Sequence, residues 1–239
     1  MDQISMAGEL ATRADGDLLM VWAGQGDLGG RSRAWYSGEA VVVASADLSK
    51  HDRLVVRGPM DELAPLVENA LAELGPTYRP FGEEAVIREL VDRVPGLLLR
   101  ATFGWMETTV APSETTTAAW QADAAGVDEL LTLASPGSYA WPADPGVTRW
   151  AAITDEAGEL LSIAADAWSA PDVGFLAGVA TRPEARGRGL SRQVCAFVTA
   201  ELVKRHGQAV LMVEETNEVA IGLYRKLGYR YRGVAAAQL

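Results

Sequence analysis

Between Val173 and Tyr229 the order of elements leaves little choice of fold. An apolar run, Val173 to Thr181, leads into Arg182-Pro183-Glu184-Ala185-Arg186-Gly187-Arg188-Gly189. A long amphipathic stretch follows to about Arg205. Leu190, Val194, Phe197, Val198 and Leu202 share one stripe at helical spacing. Then come a short apolar strand, Ala209 to Val213, and a second helix, Asn217 to Leu227. The apolar face of that helix holds Val219, Ala220, Leu223, Tyr224 and Leu227. Gly228 stops it, and Tyr229 to Ala236 forms a last strand. Strands alternating with helices predict a mixed α/β (α+β) fold, a sizeable sheet flanked by helices.

The rest of the chain reads less sharply. Asp17 to Ala23 is short and apolar enough for a strand, and a glycine-rich turn follows, Gly24 to Gly30. Ala40 to Ala44 and Asp52 to Arg57 are strands. Met60 to Leu74 is a helix, with Leu63, Leu66, Val67, Ala70, Leu71 and Leu74 on one face. Glu83 to Val94 is a second helix, and Leu97 to Thr109 is a strand. Composition shifts at Ala111-Pro112-Ser113-Glu114-Thr115-Thr116-Thr117, dividing the chain into 1–112 and 113–239. Beyond it, Val127 to Ala134 is helical, and two strands near Thr148 to Thr154 and Glu159 to Ala167 flank a turn.

Composition excludes several functions. The 239 residues carry a net charge of −11, against a general nucleic-acid binder, which needs a basic stripe. The single cysteine, Cys195, excludes an internal disulfide and a cysteine-clustered zinc site. His51 and His206 lie far apart, so no metal is expected. There is no apolar run of about eighteen residues and no basic-then-apolar start, so neither a membrane span nor a secretory signal is expected. A cytoplasmic location is the expectation that follows.

Basic residues nevertheless concentrate in one turn of this acidic chain. Arg186-Gly187-Arg188-Gly189-Leu190-Ser191 opens a helix directly after a strand. Glycines let the backbone approach an anion closely. The unpaired N–H groups of a helix's first turn, with its dipole, favour phosphate. Arg186, Arg188 and Arg192 add positive charge.

One short strand later comes Asn217-Glu218-Val219-Ala220-Ile221-Gly222-Leu223-Tyr224-Arg225-Lys226-Leu227-Gly228-Tyr229. Together the two segments resemble motifs A and B of the GNAT superfamily, the acyl-CoA-dependent N-acyltransferases. The first matches Arg-x-x-Gly-x-Gly/Ala from Arg186, with Ser191 in the last place. The second matches Asn-x-x-Ala-x-x-Leu-Tyr-x-Lys-x-Gly-Phe/Tyr throughout. The run Gly178 to Gly189 looks most like the FR47-like branch, which includes the glycine acyltransferases. The resemblance covers Thr116 to Gly233 well and Met1 to Val110 poorly.

The resemblance implies a strongly twisted mixed sheet in which two parallel strands, Val173–Thr181 and Ala209–Val213, splay to admit acetyl-CoA. The pantetheine arm would pair with the backbone of Val179, Ala180 and Thr181. The pyrophosphate would sit on Arg186, Gly187, Arg188, Gly189, Leu190, Ser191 and Arg192. Asn217 would hold the arm or a water, and Tyr224 would protonate the departing thiolate. The implied reaction is N-acetyl transfer from acetyl-CoA to a small-molecule or peptide amine. A non-catalytic acyl-CoA sensor is the alternative. Residues 1–112 would be a degenerate acyltransferase-like lobe that binds no CoA.

The residues fit that chemistry. A backbone N–H near Val179 or Ala180 would polarise the thioester carbonyl. A phenol near its ordinary pKa of about 10 is close enough to a thiol for proton sharing. No general base stands out among Glu214, Glu215, Asp172 and Asp166, each expected as a solvated carboxylate. Cys195 reads as a buried structural thiol and His206 as a cap on its own helix. Gly24 to Gly29 followed by Asp47 mimics a dinucleotide fingerprint, but the crossover helix that fingerprint needs is missing. Most of the seven tryptophans are expected in packing, with Trp141 in its proline-flanked loop a candidate for an acceptor pocket. A homodimer is the base-rate expectation.

Overall fold

The computed structural model describes residues 1–239. The first half runs β1 (Asp2–Ile4), α1 (Ala7–Arg13), α2 (Leu18–Gly24), β2 (Ser32–Ser37), β3 (Ala40–Leu48), β4 (His51–Arg57), α3 (Met60–Leu74), β5 (Arg79–Glu83), α4 (Glu84–Arg93) and β6 (Leu98–Thr108). The second runs β7 (Ala119–Trp120), α5 (Val127–Ala134), β8 (Val147–Thr154), β9 (Leu160–Ala167), β10 (Gly174–Thr181), α6 (Leu190–His206), β11 (Ala209–Val213), α7 (Glu218–Lys226) and β12 (Arg230–Gln238). The two halves repeat nearly the same order, three antiparallel strands and then a helix–strand–helix–strand run.

All twelve strands form one mixed sheet in the order β1-β2-β3-β4-β5-β12-β6-β11-β10-β9-β8-β7. The last strand of each half crosses into the other. β12 pairs antiparallel with β5 (Ala235↔Gly82), and β6 pairs antiparallel with β11 (Met106↔Leu211). β6 and β12 also pair with each other, from Arg230↔Glu107 to Gln238↔Leu98.

The apolar residues sort into three buried clusters. One lies under α3 and α4 and one under α6 and α7, on the same side of the sheet. The largest lies on the opposite side, beneath α1, α2 and α5, and draws on both halves. At its centre Trp22 of α2 stacks 5.2 Å from Phe175 and 5.5 Å from Trp105. Trp22 is wholly buried. An indole hides about 200 Å2, worth on the order of 5 kcal/mol before chain entropy is counted.

That packing corrects one expectation. Asp17 to Ala23 is the start of helix α2, not a strand. The Asp17 carboxylate caps it by accepting the Leu19 N–H at 2.9 Å. The run reads as continuously apolar because Leu19, Met20, Trp22 and Ala23 are all buried, which erases the helical period. The glycines at 24–29 therefore follow a helix, and β2 and β3 form a hairpin, so the dinucleotide fingerprint has no βαβ unit behind it. β5 gave no strand signal because it contains Pro80 and Gly82, both poor strand formers. No helix is long and apolar enough to cross a membrane.

Candidate active site

β10 and β11 are parallel but pair only at Gly174↔Ala209 and Phe175↔Val210. Beyond Phe175 they part, while β10 runs on to Thr181 and β11 to Val213. β10 also carries a bulge between Ala177 and Ala180, where its register against β9 shifts. Gly178 sits in the bulge at φ +62°, and a Cβ there would lie 2.5 Å from the Trp150 ring. Only glycine fits.

The turn after β10 lies at the open end of the parted strands. Gly187 (φ +74°) and Gly189 (φ +75°) take the left-handed conformation with open space where a Cβ would be. Gly189 is the N-cap of α6. No backbone N–H from Gly187 to Arg192 finds an acceptor within the chain. Six amides at the start of a 17-residue helix are thus free, and no acidic residue lies in the first turn. Such a row is an anion cradle.

The three arginines differ. Arg188 is exposed without an ion pair. Arg186 donates to the carbonyls of Thr181 (3.3 Å) and Ala134 (3.0 Å), tying the turn to β10 and α5. Arg192 is paired with Glu114, Nε to Oε1 at 3.0 Å, so its charge is largely answered within the chain. Leu190 is buried beneath the turn and Ser191 half-buried. Along β10 the Ala180 carbonyl accepts from Ser162 Oγ at 3.2 Å, and Thr181 Oγ1 lies 2.8 Å from the same hydroxyl. Val179 is half-buried at the bulge.

On α7, Asn217 is the N-cap, its Oδ1 accepting the Ala220 N–H at 3.1 Å. Tyr224 is buried in one cluster with Cys195 of α6, with Tyr229 edge-on at 5.8 Å. Burial pushes the phenol well above its ordinary value, reinforced by Cys195 and Tyr229. It therefore holds its proton more tightly than a solvent-exposed phenol would. Cys195 is fully buried and pushed up to about 12 by burial, an inert thiol.

Residues 156–236 match the model of the FR47-like protein family. Solved structures of similar fold align over nearly the whole chain. A GCN5-related N-acetyltransferase from Kribbella flavida is 18% identical, covers 98% of this chain and 96% of its own, and has a TM-score of 0.59. A tandem GNAT protein from the clavulanic acid biosynthesis pathway is 13% identical over 99% and 96%, with a TM-score of 0.50. A GNAT-family protein from Novosphingobium aromaticivorans is 21% identical over 88% of each chain, with a TM-score of 0.54. The fold is that of the GNAT acetyltransferases. Comparison with curated proteins finds no match.

Within this GNAT fold one of the four carboxylates departs from expectation, while Asp172, Glu214 and Glu215 are exposed. Asp166 is not solvated. It is 1% exposed, accepting from Ser169 Oγ at 2.5 Å and Arg149 Nε at 3.1 Å. Glu215 accepts from Thr102 Oγ1 of β6 at 2.8 Å. No group of three or more His, Cys, Asp or Glu is placed to hold a metal. His206 does not cap its own helix. Its Nδ1 lies 2.9 Å from the Pro171 carbonyl, and Gly207 ends α6 instead.

Sequence reasoning also missed how the first half reaches the site. Tyr139, in the loop from α5 to β8, donates to the Ser49 carbonyl at 2.6 Å, and Lys50 pairs with Asp144 at 2.7 Å. The same loop lays Ala140 over Gly178. Trp141 bonds within this loop, its Nε1 to the Ser138 carbonyl at 2.8 Å. The positive φ of Ser49 (51°) and Lys50 (65°) marks a tight turn that no composition rule flags.

Proposed function

We propose that the chain transfers an acyl group, acetyl in the first instance, from acyl-CoA to a primary amine of a small molecule or peptide. The observation that carries this reading is the row of free amides from Gly187 to Arg192 at the open end of the gap between β10 and β11. The diphosphate would lie on those amides with Arg186 and Arg188 beside it, and the pantetheine arm would follow Val179, Ala180 and Thr181. The amine nitrogen attacks the thioester carbon in a ternary complex, the C–N bond forms, and the C–S bond breaks. A backbone N–H of the bulge stabilises the oxyanion. Tyr224 gives its proton to the leaving thiolate and regains one from the amine through solvent. Asn217, its Oδ1 committed to the cap, keeps its amide N–H groups for the arm or a water.

Residues 1–112 are proposed as a lobe that binds no CoA and shapes the acceptor side through Ser49 and Lys50. A binding-only sensor is the second reading, because the fold alone does not fix catalysis and burial makes the Tyr224 phenol slow to give up its proton. Thiol release from acetyl-CoA across a panel of amines separates the two. Release with any amine supports the transferase, and tight binding without release across the panel supports the sensor. Failure to bind acetyl-CoA overturns both.

A further inference from the structure

The loop of residues 135–146, between α5 and β8, touches three parts of the molecule at once. Just before it, the carbonyl of Ala134, the last residue of α5, accepts from Arg186 of the glycine turn at 3.0 Å. In the loop's middle Ala140 is wholly buried against the bulge, its methyl 3.5 Å from where a Cβ on Gly178 would be. Either side of Ala140 is tied to the first half. Tyr139 donates to the Ser49 carbonyl at 2.6 Å, and Asp144 pairs with Lys50 at 2.7 Å. Lys50 Nζ also lies over the Tyr139 ring, 5.5 Å from its centroid.

Both ends of this connection are stiff. Inside the loop, Asp144 accepts the Trp141 N–H at 2.8 Å, Trp141 Nε1 donates to the Ser138 carbonyl at 2.8 Å, and Ser138 Oγ donates to the Ala140 carbonyl at 2.9 Å. Displacing Tyr139 or Asp144 therefore displaces Ala140. On the other side, the positive φ of Ser49 and Lys50 persists only where surroundings impose it. Arg53, 4% exposed, braces that turn, donating from Nε to the Leu48 carbonyl at 2.9 Å and from Nη2 to the Ser49 carbonyl at 3.2 Å.

We propose that this loop is a brace by which the first half sets the geometry of the bulge, with Lys50 and Tyr139 as positioning residues. The bulge needs one. Its register against β9 is broken between Ala177 and Ala180, and on its other flank β11 has already parted from it. Neither ladder fixes the backbone there, and an N–H that stabilises an oxyanion must be held in place before the reaction. The contact of Ala140 supplies what the ladders lack, and Lys50 and Tyr139 hold Ala140. This rests on the reading that acyl-CoA lies along β10 with its thioester at the bulge.

Amide hydrogen exchange of the full chain, read by mass spectrometry, tests it without a known acceptor. In Tyr139→Phe and in Lys50→Met, exchange over residues 174–181 is expected to speed by about threefold, the scale of one half-buried hydrogen bond or ion pair, while α3 and α7 exchange as in the natural chain. Asp144→Asn keeps an acceptor for the Trp141 N–H and should match Lys50→Met. The double variant Lys50→Met/Asp144→Asn should be no faster than either alone, and Lys50→Arg should behave as the natural chain. Calorimetry of Tyr139→Phe and Lys50→Met should show the ratio of acetyl-CoA to CoA affinity falling by about threefold. Unchanged exchange over 174–181 in both variants overturns the proposal. So does acceleration that extends equally over α3 and α7, the mark of general loosening, and so does an unchanged affinity ratio. In each of these cases acetyl-CoA still binds and the transferase reading stands. If the natural chain does not bind acetyl-CoA, that reading falls and this one with it.

Discussion

The two halves of the chain use the same succession of elements, and they differ most at one joint. In the second half, eight residues separate β10 from α6, with two glycines at positive φ and six free amides. In the first, only Gly58 and Pro59 separate β4 from α3. Pro59 has no N–H to offer. Asp61 and Glu62 occupy the first turn of α3, and the Glu62 carboxylate accepts from the backbone of Glu39 (2.7 Å) and Ala40 (3.3 Å). An anion would meet two carboxylates there. The neighbouring gap is closed as well. β4 and β5 pair at three positions, and a Cβ on Gly82 would stand 2.8 Å from the Val56 carbonyl oxygen. The same architecture thus leaves a row of free amides or a packed corner, depending on a few residues between strand and helix.

The comparison breaks most easily at its glycines. Gly189→Val puts a branched side chain at φ +75° beside the free amides, and acetyl-CoA affinity should fall by about a hundredfold or more, read by calorimetry. Binding that survives unchanged would show that the diphosphate lies elsewhere. A single bound CoA per natural chain is expected from the same titration, and a second would reopen the first half as a cofactor site. Gly58→Ala is the opposite case. Its new Cβ would stand 2.5 Å from Ala40 Cα at φ +131°, so stability should drop by about 2–4 kcal/mol in urea unfolding, with CoA affinity unchanged in the folded fraction.

Tyr224→Phe sharpens the contrast at the chemical step. Turnover should fall by about a hundredfold, the usual scale for one proton donor, with acetyl-CoA affinity nearly unchanged. Wild-type-like turnover would remove the residue from the mechanism.

The smallest expected effect is a pH dependence in the first half. His51 is pushed down to about 4, first by burial and then by Arg53 and Arg79. Its Nε2 lies 3.1 Å from Arg79 Nη1, and since the guanidinium only donates, the imidazole is the neutral acceptor. Its folded pKa lies below the unfolded value of about 6.5. The contribution of neutral His51 is therefore present above that value and lost as pH falls from about 6.5 toward 4. The unfolding midpoint should decline over that window in the natural chain, and His51→Gln should flatten the decline.

Legibility followed the same divide. The turn at 186–191 and the helix from 217 were readable because anion binding and capping are local and demand particular residue types at fixed spacing. Helix α2 was not, since its short run is apolar at every position from Leu18 to Ala23, half-buried Leu18 and Val21 included, which hides the period that distinguishes helix from strand. Strand β5 was hidden by Pro80 and Gly82, residues tolerated only because of who its neighbours are. The burial of Tyr224 in one cluster with Cys195 was out of reach for another reason. The two residues sit on separate helices, and no spacing rule links them. Asp166 misled because an alternating strand pattern does not reveal that Arg149 waits across the register and Ser169 three residues further along the chain.

The exchanged final strands have a consequence for how the polypeptide is made. While the ribosome is still producing the second half, β5 waits with one flank unpaired, because its partner is the last strand to emerge. Throughout that interval the nascent chain presents an open sheet edge, a template for association with other unfinished copies. Conversely, a copy severed between the halves would lose a strand from the middle of each remnant, not from its rim.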